Sequence, residues 1–176
     1  MKKRSVQIIC VVCLMSLNLF PQPNKKVFEL PKLSMEQRWE TAEGNLVYFI
    51  ISGISYAKSK GQTAAEFGTW TGKIGCPYWK SIDSMNISRF VQEISANKQQ
   101  FRDFQMEILE CSNSLVRGRM KGYGLNWLKM MDWGGVTQEE YEQFFSYKWM
   151  AIGNCLGYDY KEEVSGEWTY FTVKQK

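Results

Sequence analysis

Residues 103–121 read "DFQMEILECSNSLVRGRMK", and here the apolar spacing changes from three-and-four to alternate. Phe104, Met106 and Ile108 fall on one face of an extended chain, the period of a half-buried strand. "SNS" at 112–114 is turn material, and "LVRGRMK" returns as the second strand of a hairpin. On that strand Val116 and Met120 take one side, and Arg117, Arg119 and Lys121 take the other. Helical spacing precedes the hairpin, and a further helix and hairpin follow it. The order is three helices, hairpin, helix, hairpin. This predicts an α+β domain over residues 34–176, with N-terminal helices and one antiparallel sheet covered by helices.

Upstream, Ser34 and Gln37 form a capping box that opens a helix reaching Lys60. Trp39, Ala42, Leu46, Phe49, Ile50, Gly53, Ile54 and Ala57 recur at three and four, an apolar stripe expected to face inward. Gly61 is its stop. Thr63 and Glu66 form a second box. That helix is expected to end near Gly72, with Phe67, Trp70 and Ile74 inward, because Pro77 restricts Cys76 to extended geometry. A third helix fits 84–98, with Ile87, Phe90, Val91 and Ile94 on one side.

Downstream, "GYGLNWLKMMDWGG" (122–135) is a glycine-flanked stretch with room for a short helix. Thr137 and Glu140 make a third box, opening a helix to about Leu156 and Gly157 with Tyr141, Phe144, Phe145, Trp149 and Ile152 inward. "YDYKEEV" and "EWTYFTV" then flank Ser165-Gly166, read as a two-residue turn. That pairing puts Tyr158, Tyr160, Val164, Phe171 and Val173 on the core face.

The N-terminus has its own logic. Lys2, Lys3 and Arg4 precede an apolar run from Val6 to Phe20, and "PQPNKK" follows. This is the layout of a secretory signal over residues 1–20, with a leader over 21–33. Export to a periplasmic or extracellular space is expected, with the membrane touched only through the signal segment. No small-x-small motif marks the cut. Removing Lys2, Lys3 and Arg4 from 22 basic residues leaves 19 against 18 acidic ones. A charge near +1 gives no general field for capturing nucleic acid.

Export changes the meaning of the cysteines. Cys10 and Cys13 leave with the signal, and Cys76, Cys111 and Cys155 remain. They form either one bridge and a free thiol or three buried thiols. Cys111 ends a strand and Cys155 nearly ends the last long helix, so these two are the pair expected to approach, leaving Cys76 free. Their spacing makes no metal-ligand pattern.

The chain contains no histidine. Ser-His-Asp and Cys-His machinery, His-zinc sites and a proximal-His haem are therefore excluded. There is no nucleophile elbow, phosphate loop or dinucleotide fingerprint, and no cofactor is expected. Cys76, near Lys73 and Lys80, is the best lone-nucleophile candidate, set against a structural cysteine in a turn. Arg117 and Arg119 share a face. That face either grips an anion bidentately or is an ordinary polar sheet surface.

"YAKSKGQTAAEFGTWTG" (56–72) has helix-turn-helix spacing, yet its second helix offers bases only Thr69 and Thr71 and no arginine. It reads instead as two helices packed at an angle, with Phe67, Trp70, Tyr78 and Trp79 filling or lining the space between helices and sheet. Aromatic residues make up 15% of the chain. They supply either a ring-rich core or a cavity or partner surface lined by rings.

The element order and the tail "MAIGNCLGYDYKEEVSGEWTYFTV" (150–173) resemble the C-terminal half of the vinyl-reductase-type small-molecule-binding domains. They also resemble the L-2-amino-thiazoline-4-carboxylate hydrolase-like families. The resemblance implies a helix with small residues leading into a hairpin that closes the domain beside a ligand cavity. The Cys-rich ending of many of the former is absent from "SGEWTYFTV".

The function expected is binding of a small, partly apolar or anionic ligand or of a protein partner. Phe67, Trp70, Tyr78, Trp79, Arg117 and Arg119 are the ligand-binding candidates. The alternative is a small hydrolase or thiol-dependent enzyme using Cys76.

Overall fold

Three capping boxes set the helical frame. In the computed structural model, which describes residues 31–130 and 134–176, all three are formed. The expected signal segment and most of the leader lie outside those residues. Ser34 opens α1 (Met35–Ser59), Thr63 opens α2 (Ala64–Lys80) and Thr137 opens the last long helix. In each, the cap hydroxyl accepts the third residue's N–H while that residue's side chain accepts the cap's own N–H. Each cap contributes about 1 kcal/mol. α3 (Ile87–Lys98) starts at Asn86, whose side chain accepts from the Arg89 amide, rather than at residue 84.

The sheet is fully antiparallel in the order β1-β2-β4-β3, from β1 (Gln105–Cys111), β2 (Leu115–Lys121), β3 (Tyr158–Ser165) and β4 (Trp168–Gln175). The two hairpins join through β2 and β4. Between them lie α4 (Leu125–Met130) and α5 (Gln138–Leu156). Gly157 ends α5 at φ 84°, a left-handed C-cap that glycine adopts without a Cβ penalty. This is the expected α+β fold. Leu33–Lys176 make one compact unit, and no helix among the described residues is long and apolar enough to cross a membrane.

Helices cover one face of the sheet. Val116, Met120, Tyr160, Phe171 and Val173 meet Phe90, Val91 and Ile94 of α3 and Trp149 and Ile152 of α5, all buried. Trp79 packs edge-on against both Trp149 and Phe90, with ring centroids 5.5 and 5.9 Å away. Rings of this size each contribute about 1.5–3 kcal/mol by burial.

Several expectations are corrected here. α2 does not stop near Gly72 but runs through Pro77 to Lys80. The missing Pro77 N–H removes one helical bond, while Trp79 in the core and Cys76 in a disulfide anchor the final turns. Trp70 and Ile74 point outward, 58% and 59% exposed. On α1 the buried line is Val47, Ile51, Ile54 and Ala57, so Phe49 is left 71% exposed. Trp39 is held at the surface because its indole N–H donates to the Gln100 carbonyl at 2.8 Å. Ile108 keeps the face of Met106, opposite Gly118, but on the edge strand β1 it is only partly covered and stays 48% exposed. In the closing hairpin Ser165 pairs with Trp168, so Gly166 and Glu167 form the turn, not Ser165-Gly166. The register moves by two residues, which leaves the facing of every side chain unchanged.

The cysteine expectation is also corrected. Cys76 and Cys155 form the disulfide, with Cα atoms 6.1 Å apart, and Cys111 is free and exposed. The cause lies in the α2–α5 contact. Gly68, Gly72 and Cys76 recur every four residues and share one face of α2. A Cβ on Gly68 would strike the Phe144 carbonyl oxygen, and one on Gly72 would lie 2.5 Å from that of Lys148. The two backbones therefore meet directly, and the next residue along the seam bonds to α5.

Candidate binding cleft

One cavity that gathers polar side chains from separate elements is not built on the residues singled out from sequence. It is a cleft of about 520 Å³ at the end of the sheet where β2 departs and the β3–β4 hairpin turns. The segment before β1 supplies Asp103, and Lys121, Gly122 and Tyr123 follow β2. α4 adds Asn126 and Lys129, the first turns of α5 add Gln138 and Glu142, and the hairpin adds Glu167 and Thr169. Gly122 has φ 71°, and a Cβ there would run into the Asp103 backbone, so glycine lets the two chain segments close up.

Hydrogen bonds fix the walls. The Tyr123 and Thr169 hydroxyls are 3.1 Å apart, and the Tyr141 hydroxyl donates to the Tyr123 carbonyl at 3.1 Å. Asn126 donates to Asp103 Oδ2 at 2.9 Å, and Gln138 donates to Glu142 Oε1 at 2.8 Å. Lys121 pairs with Glu167 at 3.0 Å and lies 4.6 Å from the Trp168 ring centroid. Asp103 Oδ1 is buried and has no partner. Burial pushes the Tyr123 phenol well above its ordinary range, so it stays protonated as a donor.

Behind Tyr123 lies a buried charge. Lys98 is 1% exposed, and its ammonium makes no hydrogen bond. It sits 3.8 Å from the Tyr123 ring centroid and 4.5 Å from that of Phe145. Burial lowers its pKa to about 8, against the opposing pull of the Glu162 charge. Glu162 faces the same interior and accepts a hydrogen bond from Tyr160. Burial raises its carboxyl pKa, while Lys98 holds it down. Neither residue was singled out from sequence, although both interrupt apolar patterns. Lys98 follows Val91 and Ile94 at seven and four, and Glu162 alternates with Tyr160 and Val164.

The six ligand-binding candidates do not converge. Arg117 and Arg119 project from the uncovered face of the sheet and pair across to Glu110 at 3.1 Å and Glu107 at 2.7 Å. Arg119 also lies 4.3 Å from the Trp168 ring centroid. Tyr170 and Glu107 raise its pKa above the ordinary value. Arg117 lines a groove of about 330 Å³ with Tyr170 and Lys174, whereas Trp70 lines another of about 310 Å³ with Tyr147. Phe67 wedges between helices, its ring stacked 5.4 Å from Phe144. Tyr78 is exposed and Trp79 is in the core. Cys76 is bridged, and a bridged sulfur has no thiolate with which to attack. Among the described residues no three Cys, Asp or Glu side chains are grouped to hold a metal ion.

Comparison of the chain with protein-family models, with curated proteins and with solved structures gives no match.

Proposed function

We propose that this domain is a ligand-binding module whose site is the cleft between Asp103, Tyr123, Asn126, Glu142 and Thr169. The observation that carries the reading is a cavity of about 520 Å³ whose polar groups are held in place by their own hydrogen bonds, Tyr123 with Thr169, Asn126 with Asp103 and Gln138 with Glu142. Cavities of this size suit small molecules. The competing reading, a thiol-dependent hydrolase centred on Cys76, requires that cysteine to be reduced. The test is an amide-resolved NMR titration with a small-molecule library. Hits should move Tyr123, Asn126, Glu142 and Thr169 together. Hits that move only other regions would sink the reading.

The Cys76–Cys155 disulfide supports an exported location, because such bonds persist in oxidising compartments. N-terminal sequencing of the protein recovered from outside the cytoplasm tests this, with a start near residue 21 expected.

A second reading, a surface for a protein partner, is favoured by one observation. Met35, Phe49 and Tyr56 on α1 and Trp70, Ile74 and Tyr78 on α2 are each at least 58% exposed. Pull-down with the wild-type protein and with a Phe49→Ser/Trp70→Ser variant separates the readings: a partner lost only with the variant supports it.

A further inference from the structure

We propose that the Cys76–Cys155 disulfide is a redox-operated latch. It holds the last turn of α2 in the helix, and its reduction releases that turn from the core.

By itself the last turn of α2 is a poor helix. Pro77 lies inside it and brings no N–H to the Lys73 carbonyl. Proline also disfavours helical geometry in the residue before it, and that residue is Cys76. Gly75 adds a further loss of backbone entropy. Tyr78, Trp79 and Lys80 complete the helix before the cap at Ser81, whose N–H turns back to the Pro77 and Tyr78 carbonyls at 3.2 and 3.0 Å.

Two anchors oppose these costs: Trp79, set edge-on against Phe90 and Trp149, and the bond from Cys76 to α5. The rest of the turn faces water, with Ile74, Pro77, Tyr78 and Lys80 all exposed. The loose segment has firm limits. Before it, Gly68 and Gly72 put α2 in backbone contact with α5. After it, Ile82 and Met85 pack against the core. The other end of the bond is fixed, because α5 buries Trp149, Ile152 and Gly153 beside Cys155. The bond therefore restrains the turn of α2 and not the helix it is tied to.

Both bonded cysteines keep partial exposure, so a small dithiol can approach. Reduction breaks the S–S bond and leaves two thiols. The two electrons and two protons come from a dithiol reductant, which itself becomes a disulfide; a disulfide oxidant runs the step in reverse. With the bond open, Trp79 alone opposes Pro77 and Gly75. The helix then ends before Pro77, where the local sequence puts its stop. Trp70, Ile74 and Tyr78 recur every four residues on the exposed side of α2. They form one continuous row only while the latch is closed.

The experiment compares the full folded protein, without reductant and in dithiothreitol, by backbone NMR. The α-carbon shifts of Tyr78, Trp79 and Lys80 report the turn. They should be helical in the oxidised protein. In the reduced protein their helical component should fall by about half or more, while Ala64–Gly72, β2 and β4 keep theirs. A Cys76→Ser/Cys155→Ser variant, which cannot close the bond, should match the reduced protein. Pro77→Ala should keep the turn helical after reduction, because it removes the main local cost.

A turn as helical in the reduced protein as in the oxidised one would overturn the proposal. So would a loss of structure throughout the domain on reduction, since the bond would then staple the whole fold and not one turn. Equal loss in reduced wild type and reduced Pro77→Ala would overturn it too, because the proline would then have no part in the release.

Discussion

Replacing Lys98 by methionine should make the protein more stable, and the gain should shrink as the pH rises. The ammonium of Lys98 is fully buried and makes no hydrogen bond. Burial takes its pKa from an ordinary 10.5 to about 8. At about 1.4 kcal/mol for each tenfold change in proton affinity, keeping that charge inside costs the folded state about 3 kcal/mol near pH 7. Methionine has similar length and no charge. The ring contacts with Tyr123 and Phe145 and the attraction to Glu162 are lost as well, so the net gain at pH 7 should be smaller, about 1 kcal/mol.

The pH dependence is the sharper part. Between pH 8 and 10.5 the unfolded chain keeps the lysine proton and the folded chain has released it. The unfolded state then binds more protons, so wild-type stability rises through this window. The variant lacks the rise, and its advantage should fall by about 3 kcal/mol between pH 8 and 10.5. Glu162 acts in the same direction. Its raised pKa climbs further without Lys98, so its carboxylate costs the variant more as the pH increases. Urea denaturation of both proteins from pH 6 to about 10.5 measures the difference, and titrating groups other than Glu162 cancel. A gap that stays constant with pH, or a variant less stable at every pH, would refute the argument that Lys98 is held charged without a hydrogen bond.

Three further outcomes are expected. Gly72→Ala should cost about 1–3 kcal/mol because its Cβ meets the Lys148 oxygen and Ala151. Gly75→Ala, whose nearest contact is Trp79 at 3.5 Å, should be neutral or gain up to about 1 kcal/mol; thermal melts of the pair decide whether the helices touch backbone to backbone. Non-reduced peptide mapping should join Cys76 to Cys155 and find Cys111 alkylated without denaturant. Cleaving that bridge, which spans 79 residues, should lower stability by roughly 4–5 kcal/mol in the chain-entropy account, and a bridge containing Cys111 would contradict the seam. Arg117→Ala should change stability by less than about 1 kcal/mol, since the pair with Glu110 is half in water; a larger loss in urea titration would mean the outer sheet face is covered by something else.

What the sequence made legible follows from how local each signal is. The capping boxes at Ser34, Thr63 and Thr137 each lie within four residues, and all three open helices. The alternation in 104–121 and 158–173 set which side of each strand faces inward, even where the turn moved to Gly166 and Glu167, but Ile108 and Val164, both expected in the core, are exposed. The α1 stripe failed at Phe49 and Trp39 because that helix carries apolar residues on more than one side. Spacing alone does not say which side meets the core. Pro77 misled for a related reason: its local cost is real, and the bond of Cys76 to a helix 79 residues away outweighs it.

The cleft was hidden because none of its parts is a motif. Asp103, Tyr123, Asn126, Glu142 and Thr169 come from five separate segments, and only the meeting of two hairpins with α4 and α5 brings them together. Arg117 and Arg119 drew attention because alternation makes a shared face visible, yet that same face is the one the helices leave uncovered. The usable signal was of the opposite kind. Lys98 on an apolar helix stripe and Glu162 on an inward strand position are charges where the pattern calls for hydrocarbon. A charge in such a place is either removed from the core by a local change of structure or kept there at a cost. Here both are kept, and Lys98 lies directly behind the Tyr123 ring that forms part of the cleft wall. Charged residues at inward-facing positions are therefore the feature of the sequence that marks this end of the sheet.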